Sequence, residues 1–348
     1  MNGFPPRPTL ADVAVAAGVS PVTVSRVVEG SAKVAAATRE RVISAMESIG
    51  YYGNASASHL VSGRGGAIGI VTSNTAEYGY AATIQGVEQR ARAMDLPVLI
   101  SVIEGIDAAS VQKSVRAVAS HAVAGVIVID FDESGHAVLP ALPAYLPVVF
   151  ATSPSDGRGS ARPYIYMDDY EGGRLVAQHL IGLGHTAIFI LAPQETQPLE
   201  RRSQGIFDGL TEARLPHYPV IRCADWGPTS GYEGVQWLLD DYDQKVTAIA
   251  CANDQVAIGA IRAIIDRGLR VPEDISVVGF DDHPLAAYAS PPLTTVHQDF
   301  QTQGRLSFDL LDSLISGAPG PADRRVSPAL IARDSTAAPN PVRGLSGP

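Results

Sequence analysis

From residue 67 onward, short apolar runs alternate with segments of helical spacing, and this alternation restricts the fold more than any other feature of the chain. The runs cover residues 67–71, 97–102, 125–129, 148–150, 187–191, 247–251 and 275–280. Between them, stretches such as 170–183 and 254–267 carry apolar residues three and four apart. Continuous apolar strands separated by helices require parallel sheets covered on both faces. Seven such strands over about 260 residues suit two doubly wound subdomains better than one sheet. In folds of this type, ligands sit beyond the carboxyl ends of the strands.

The first 50 residues follow a different rule and read as three short helices. Thr9 is placed to cap Leu10–Ala17, with Asp12 in the first turn, and Gly18 ends that helix. Ser20 then caps a second helix that opens with Pro21, a favoured first helical residue. Val13, Ala17, Val19, Val24 and Val28 can share one core, with Val42, Met46 and Ile49 of a third helix, Ala36–Ile49, packed on it. This leaves Pro21, Val22, Ser25 and Arg26 facing outward. A helix-turn-helix presents the first residues of its second helix to base edges in the major groove. Arg26 can donate two hydrogen bonds to a guanine, Val22 can pack on a thymine methyl, and Ser20 and Thr23 can meet phosphates. With Thr9, these are the candidate DNA contacts of the head; a simple helical hairpin with a solvated arginine is the plainer alternative.

The run from Thr9 to Ala14, the run from Ala17 to Val28, and then Thr38-Arg39-Glu40-Arg41-Val42 and Ile49-Gly50-Tyr51 closely resemble the head of the lactose repressor (LacI/GalR) family of bacterial transcriptional regulators. The resemblance continues to about Pro341 through Cys251-Ala252-Asn253-Asp254-Gln255, the stretch 274–282 and the stretch 292–300. It implies a small all-α helix-turn-helix head plus an α/β core of periplasmic-binding-protein type. The implied divisions are a head at 1–53, a hinge helix and linker at 54–66, a first core subdomain at 67–167 and 298–330, and a second at 168–297. The resemblance also implies that Asn54 and Leu60 contact the operator from the hinge, Leu60 as a minor-groove wedge. Gly53 and Ser58 depart from the family pattern there, where proline and arginine are common.

For the core, the resemblance implies a small-molecule effector, a mono- or disaccharide, held between the subdomains. Its candidate contacts are Tyr78, Thr152, Arg202, Trp226, Asn253, Asp281, Gln298 and Phe300. The chemistry is apt, because planar charged groups bind vicinal hydroxyls in pairs and an aromatic covers the apolar sugar face. Thr152 stands where the pattern has a carboxylate. Glu77 and Thr83 lie where it has apolar residues, so this side of the pocket is expected to be more polar. Taken without the resemblance, Asn253-Asp254 reads equally as a helix cap, Asp281-Asp282 as a turn, and Trp226 as core. Trp237 reads as core, Asp168-Asp169 as a helix start, and Asp240-Asp241 as a solvated helix end.

Composition adds exclusions. The net charge of −10 belongs to the core: residues 1–62 carry five Lys/Arg against four Asp/Glu, and the rest 21 against 32. A head that touches DNA need only be locally basic. No apolar run reaches the roughly 20 residues of a membrane span, and the N-terminus has no signal-peptide pattern, so a cytoplasmic protein is expected. Cys223 and Cys251 are expected to be small buried residues, and the eight histidines have no zinc-site spacing. The glycines at 63–66 precede a strand, whereas a dinucleotide loop follows one, which opposes an oxidoreductase. No cofactor or catalytic residue is expected. A solute-binding protein is opposed by the intact head, while a corepressor-dependent regulator of the same family remains the main alternative to sugar-triggered release. The last ten residues lack a leucine heptad and are expected to be a disordered tail at 339–348, so a homodimer rather than a tetramer is expected.

Overall fold

The computed structural model describes residues 8–28, 31, 33–51, 66–121, 123–132, 134–152, 163–193, 197–242, 246–321 and 324–341. The head contains α1 (Leu10–Ala17), α2 (Pro21–Val28) and α3 (Ala36–Ile49). Thr9 and Asp12 form a reciprocal capping box: Asp12 Oδ2 accepts the Thr9 N–H at 2.7 Å, and Thr9 Oγ1 accepts the Asp12 N–H at 3.4 Å. Gly18, at φ +63°, closes α1 in the left-handed region. The chain then bends by 105° into α2, the crossing expected of a helix-turn-helix. Val13, Val24 and Val42 are fully buried, with Val27 and Ala45 beside them. Val19, Val28, Met46 and Ile49 are only half-buried at the edge of this core. Because the head is so small, its cap matters. Thr9→Ala is expected to cost about 1 kcal/mol. The amides of Val13 and Ala14 would then lose hydrogen-exchange protection roughly fivefold.

The core has two parallel sheets. The first contains β1 (Ala67–Thr72), β2 (Val98–Val102), β3 (Val123–Asp130), β4 (Val148–Thr152), β5 (Tyr164–Met167) and, far along the chain, β11 (Arg325–Val326), in the order β11-β5-β4-β3-β1-β2. The second contains β6 (Ile188–Pro193), β7 (Ile221–Cys223), β8 (Ala248–Cys251) and β9 (Ser276–Val278), in the order β7-β6-β8-β9. The central strands β1, β4, β6 and β8 are buried along their whole length, as sheets covered on both faces require. A short antiparallel pair, β10 (Thr295–His297) and β12 (Ala329–Ile331), packs on the second subdomain, with Val296 and Leu330 against its core.

The chain passes between the subdomains three times: from Met167 to Asp169, from His297 to Phe300, and from Val326 to Ala329. After the last passage it stays with the second subdomain. Ser335 Oγ donates to the Val277 carbonyl at 2.6 Å, and the Asn340 amide donates to Asp274 at 3.2 Å. The expected tail is thus tied down at its start, while 342–348 lies outside the described residues.

Covering the sheets are α4 (Tyr78–Ala93), α5 (Ala108–Ala119), α6 (Ser134–Val138), α7 (Asp169–Gly182), α8 (Gln197–Glu212), α9 (Pro228–Tyr242), α10 (Asp254–Asp266) and α11 (Phe300–Ser316). Three pairs of these helices cross through reciprocal glycines. A Cβ on Gly86 or Gly304 would come within 2.1 Å of the backbone of α11 or α4, and one on Gly173 or Gly205 within 2.1 Å of the backbone of α8 or α7. In the third pair, Gly259 would place a Cβ 1.8 Å from the Pro228 carbonyl. Only glycine permits helix backbones to approach so closely, and the contacts fix the directions of the helix starts that face the cleft. Trp237 is not core: it is 51% exposed. The buried stripe of α9 is Ser230, Gly231, Gly234, Val235, Leu238 and Leu239, and position 237 lies off it.

Candidate functional site

Two surfaces can carry function. On the head, α2 buries Val24 and Val27, which turns Pro21, Val22 and Arg26 outward; Val22 is 59% exposed. Ser20 Oγ accepts the Thr23 N–H at 3.2 Å, so the helix start is built by the side chains expected to meet phosphate. Thr9 is exposed but occupied by its capping box. Asn54 and Leu60, with Gly53 and Ser58, lie outside the described residues.

The second surface is a cavity of about 520 Å³ between the subdomains. Tyr78, Arg202, Trp226, Asn253, Asp281, Gln298 and Phe300 all line it. Helix starts supply three of the seven: Tyr78 opens α4, Asn253 caps α10, and Phe300 opens α11. Thr152 does not line the cavity. It ends β4, and its carbonyl accepts from Gln303 at 3.0 Å. Thr83 does not line it either, because its hydroxyl donates back to the Gly79 carbonyl at 2.8 Å inside α4. Glu77 does reach the cavity.

Arg202 is the hub. Its Nε donates to Asp169 Oδ1 at 2.6 Å, one Nη to the Ala252 carbonyl at 2.6 Å, and the other to Gln298 Oε1 at 3.2 Å. Gln298 closes the ring by donating to Asp169 Oδ1 at 2.9 Å. The guanidinium also lies over the Phe280 ring, 4.0 Å from its centre. Asp281 Oδ1 approaches Arg202 to 3.4 Å but accepts no hydrogen bond, although it is sealed from solvent. Asp281 itself sits at φ +99°, a backbone conformation rare outside glycine. Asp169 is therefore more than a helix start: it is buried and anchors the arginine. On the opposite wall, Tyr78 meets His283 and Phe300 edge-on, with centroids 4.8 and 5.9 Å away.

Burial governs the acid–base properties here. It pushes the Asp281 carboxyl up to about 6, although Arg202 pulls the other way. It opposes the charge on Arg202, yet Asp169 and Asp281 outweigh it and hold the guanidinium protonated. Asp254, at the start of α10, is pushed up to about 8, mainly by burial. Its oxygens face the Thr295 hydroxyl at 2.5 Å and the His283 N–H at 2.6 Å.

A carboxyl whose pKa is raised by folding favours the native state while neutral. That contribution is complete below the unfolded value near 4 and lost as pH rises through about 8. The melting temperature of the core is thus expected to fall across this window. Asp254→Asn, which imitates the neutral acid, is expected to flatten the fall; an unchanged calorimetric pH profile would contradict the assignment.

Sequence reasoning missed Ser73, Tyr80, Phe131, Asp132, Asp225 and His283, which also line the cavity. A signal existed for some of them: Asp132 follows the end of β3 closely, and Asp225 directly precedes Trp226.

Residues 9–54 match the bacterial regulatory proteins of the lacI family, and residues 177–336 the periplasmic binding protein-like domain. The chain is 34% identical over 335 residues to the lactose operon repressor of Escherichia coli, covering 95% of this chain and 91% of that one. It belongs to the LacI family. Like other LacI-family proteins, it is a DNA-binding transcriptional regulator. It is 33% identical over 354 residues to the regulator MalR of Streptomyces coelicolor, covering 96% and 98% of the two chains. Among solved structures, the lac repressor dimer bound to operator and the anti-inducer ONPF superposes with a TM-score of 0.84 at 33% identity, over 96% of this chain and 100% of that one. A complex of the regulator CelR with cellobiose gives 0.67 at 31% identity, over 94% and 100%. Among the described residues no single helix is long and apolar enough to cross a membrane.

Proposed function

We propose that this LacI-family regulator is a cytoplasmic homodimer that binds a pseudo-palindromic operator and is released when a mono- or disaccharide enters the cleft. The observation that carries the effector reading is the arginine hub. Arg202 is immobilised by Asp169, Ala252 and Gln298 beside an Asp281 oxygen that lacks a hydrogen-bond donor. Sugar hydroxyls can donate to the carboxylate surface that the cavity exposes and accept from the rest of the polar wall, while Trp226 and Phe300 offer faces for the ring. The complex of the similar regulator CelR with cellobiose is in keeping with this. The reading assigns binding, not turnover, to the cavity.

Pairing is supported by apolar side chains exposed on both subdomains. Ile100, Val102 and Ile106 lie at the β2 edge of the first, and Leu285 and Tyr288 on the second. Two heads related by a two-fold axis would read two half-sites about one helical turn apart.

The test has two arms. Selection from random duplexes is expected to yield a symmetric motif. Thermal shift with a panel of mono- and disaccharides is expected to raise the melting temperature for one class, since a ligand that binds only the native state stabilises it. That ligand should then weaken operator binding. A ligand that instead strengthens it would make the protein corepressor-dependent, and the absence of any symmetric motif would sink the operator reading.

A further inference from the structure

Resting on that reading of the cleft, we propose that His283 is a specificity-determining contact for the effector: its ring is locked with the proton on Nε2, and that N–H donates to an oxygen of the bound sugar. His283 lines the cavity from the second subdomain, directly after the positive-φ pair Asp281 and Asp282. Four contacts fix it. Its backbone N–H donates to Asp254 Oδ2 at 2.6 Å, and its carbonyl accepts from the Ala286 N–H at 2.8 Å. Its Nδ1 accepts the Leu285 N–H at 3.1 Å. Its ring meets that of Tyr78, from the first subdomain, edge-on with centroids 4.8 Å apart.

The Leu285 contact decides the tautomer. A backbone N–H can only donate, so Nδ1 must present its lone pair, and the single proton of the neutral ring sits on Nε2. Burial pushes the imidazole pKa down, which favours that neutral ring. The two nitrogens flank Cε1 and their bonding directions diverge, so with Nδ1 turned back on its own segment, Nε2–H is turned away from it. Among the described residues, that N–H makes no hydrogen bond.

Such a donor is what this cavity needs. The Arg202 guanidinium and the amides of Gln298, Asn253 and Asn74 already donate within the protein. Carboxylates such as Glu77, Asp132 and Asp225, which only accept when ionised, line much of the rest. A sugar hydroxyl both donates and accepts, so a wall of acceptors satisfies only half of it. A donor held in place supplies the other half, and a ligand with no oxygen there leaves it unpaired. The local turn does not itself call for histidine. Pro284 follows, and a side-chain acceptor for the N–H two residues on is the Asx-turn that asparagine makes equally well. What the imidazole adds to that turn is the second N–H.

The experiment sets His283→Asn against His283→Gln in the full-length chain. Asparagine keeps an acceptor for the Leu285 N–H and loses the donor; glutamine, one methylene longer, keeps an N–H where Nε2 stands and loses the turn. Calorimetry uses glucose, galactose, cellobiose, lactose and maltose as probes, and thermal unfolding without sugar measures the turn. The sugar that binds the parent most tightly is expected to bind His283→Asn about tenfold or more weakly, and His283→Gln within about threefold of the parent. Unfolding is expected to rank the variants the other way, with His283→Asn melting closer to the parent. A histidine with only a structural role would place the two variants in the same order in both measurements. If His283→Gln folds poorly, the loss of affinity in a normally melting His283→Asn still decides. Unchanged affinity in His283→Asn, or the same order in both measurements, would overturn the assignment while leaving the cleft a sugar site. Binding of none of these sugars by the parent at about 10 mM would count against the sugar reading itself, and the role of His283 would fall with it.

Discussion

Replacing Arg202 with methionine is expected to lower core stability by roughly 3–5 kcal/mol and to abolish the response to the effector. The substitution preserves much of the apolar stem but removes the guanidinium that pairs with Asp169 and lies near Asp281. Asp169 keeps the Gln298 amide at 2.9 Å, whereas Asp281 Oδ1 keeps nothing. Two carboxylates in a poorly solvated wall then lose this counter-charge, and the Phe280 ring loses its cation. Because protons can neutralise the orphaned acids, the loss should be smaller at pH 5 than at pH 8. Adding Asp169→Asn to the variant should restore part of it, since replacing both partners removes the uncompensated charge. Urea unfolding at the two pH values measures the first effect, and ligand titration of operator-bound protein the second. A variant within about 1 kcal/mol of the parent would mean that Arg202 does not organise the cleft.

The second large effect belongs to the head. Arg26→Ala is expected to remove about 1–3 kcal/mol per head, and so about 2–6 kcal/mol from a dimer on a two-fold operator. This corresponds to roughly 30-fold to 10⁴-fold in affinity. Burial of Val24 and Val27 locks the orientation of α2, so the exposed Arg26 and Val22 cannot turn inward to escape the groove. Fluorescence anisotropy on a selected operator and on random duplex of equal length distinguishes the roles. A base-reading arginine loses affinity on the operator and relaxes one position, whereas equal loss on both would place it on phosphate. Val22→Ala should cost less, because it forfeits only an apolar contact.

The elements of the fold were legible because their signals are local. Thr9, Gly18, Ser20 and Pro21 mark helix ends within one turn, and the apolar runs of the parallel strands identify themselves. β5, β7, β11 and the short pair β10–β12 were not read, since their two to four residues are not part of a longer apolar run. Site residues depended on distances that sequence spacing does not encode. Asp169 reads as a helix start because it is one; its second role needs Arg202, 33 positions away, and Gln298, 129 away. Thr83 and Thr152 were expected at the cavity, but each sits where its own element directs it elsewhere. Asn253 carries both of its possible readings at once: it caps α10 through the Val256 N–H at 2.8 Å and lines the cavity.

The three passages between subdomains have a consequence for synthesis on the ribosome. The head has a core drawn entirely from Val13 to Tyr51 and can fold as soon as it emerges. The first subdomain cannot. Its core includes Phe300, Phe308, Leu310 and Leu311 from α11, and its sheet ends with β11, so strands translated early wait for residues about 230 positions later. The second subdomain waits too, because β12 and Ser335 complete it. A chain interrupted before residue 300 would therefore carry a finished DNA-binding head on an unfinished, sticky body. Such fragments are natural substrates for chaperones and proteases, and only a chain translated nearly to its end can yield a head controlled by a cleft.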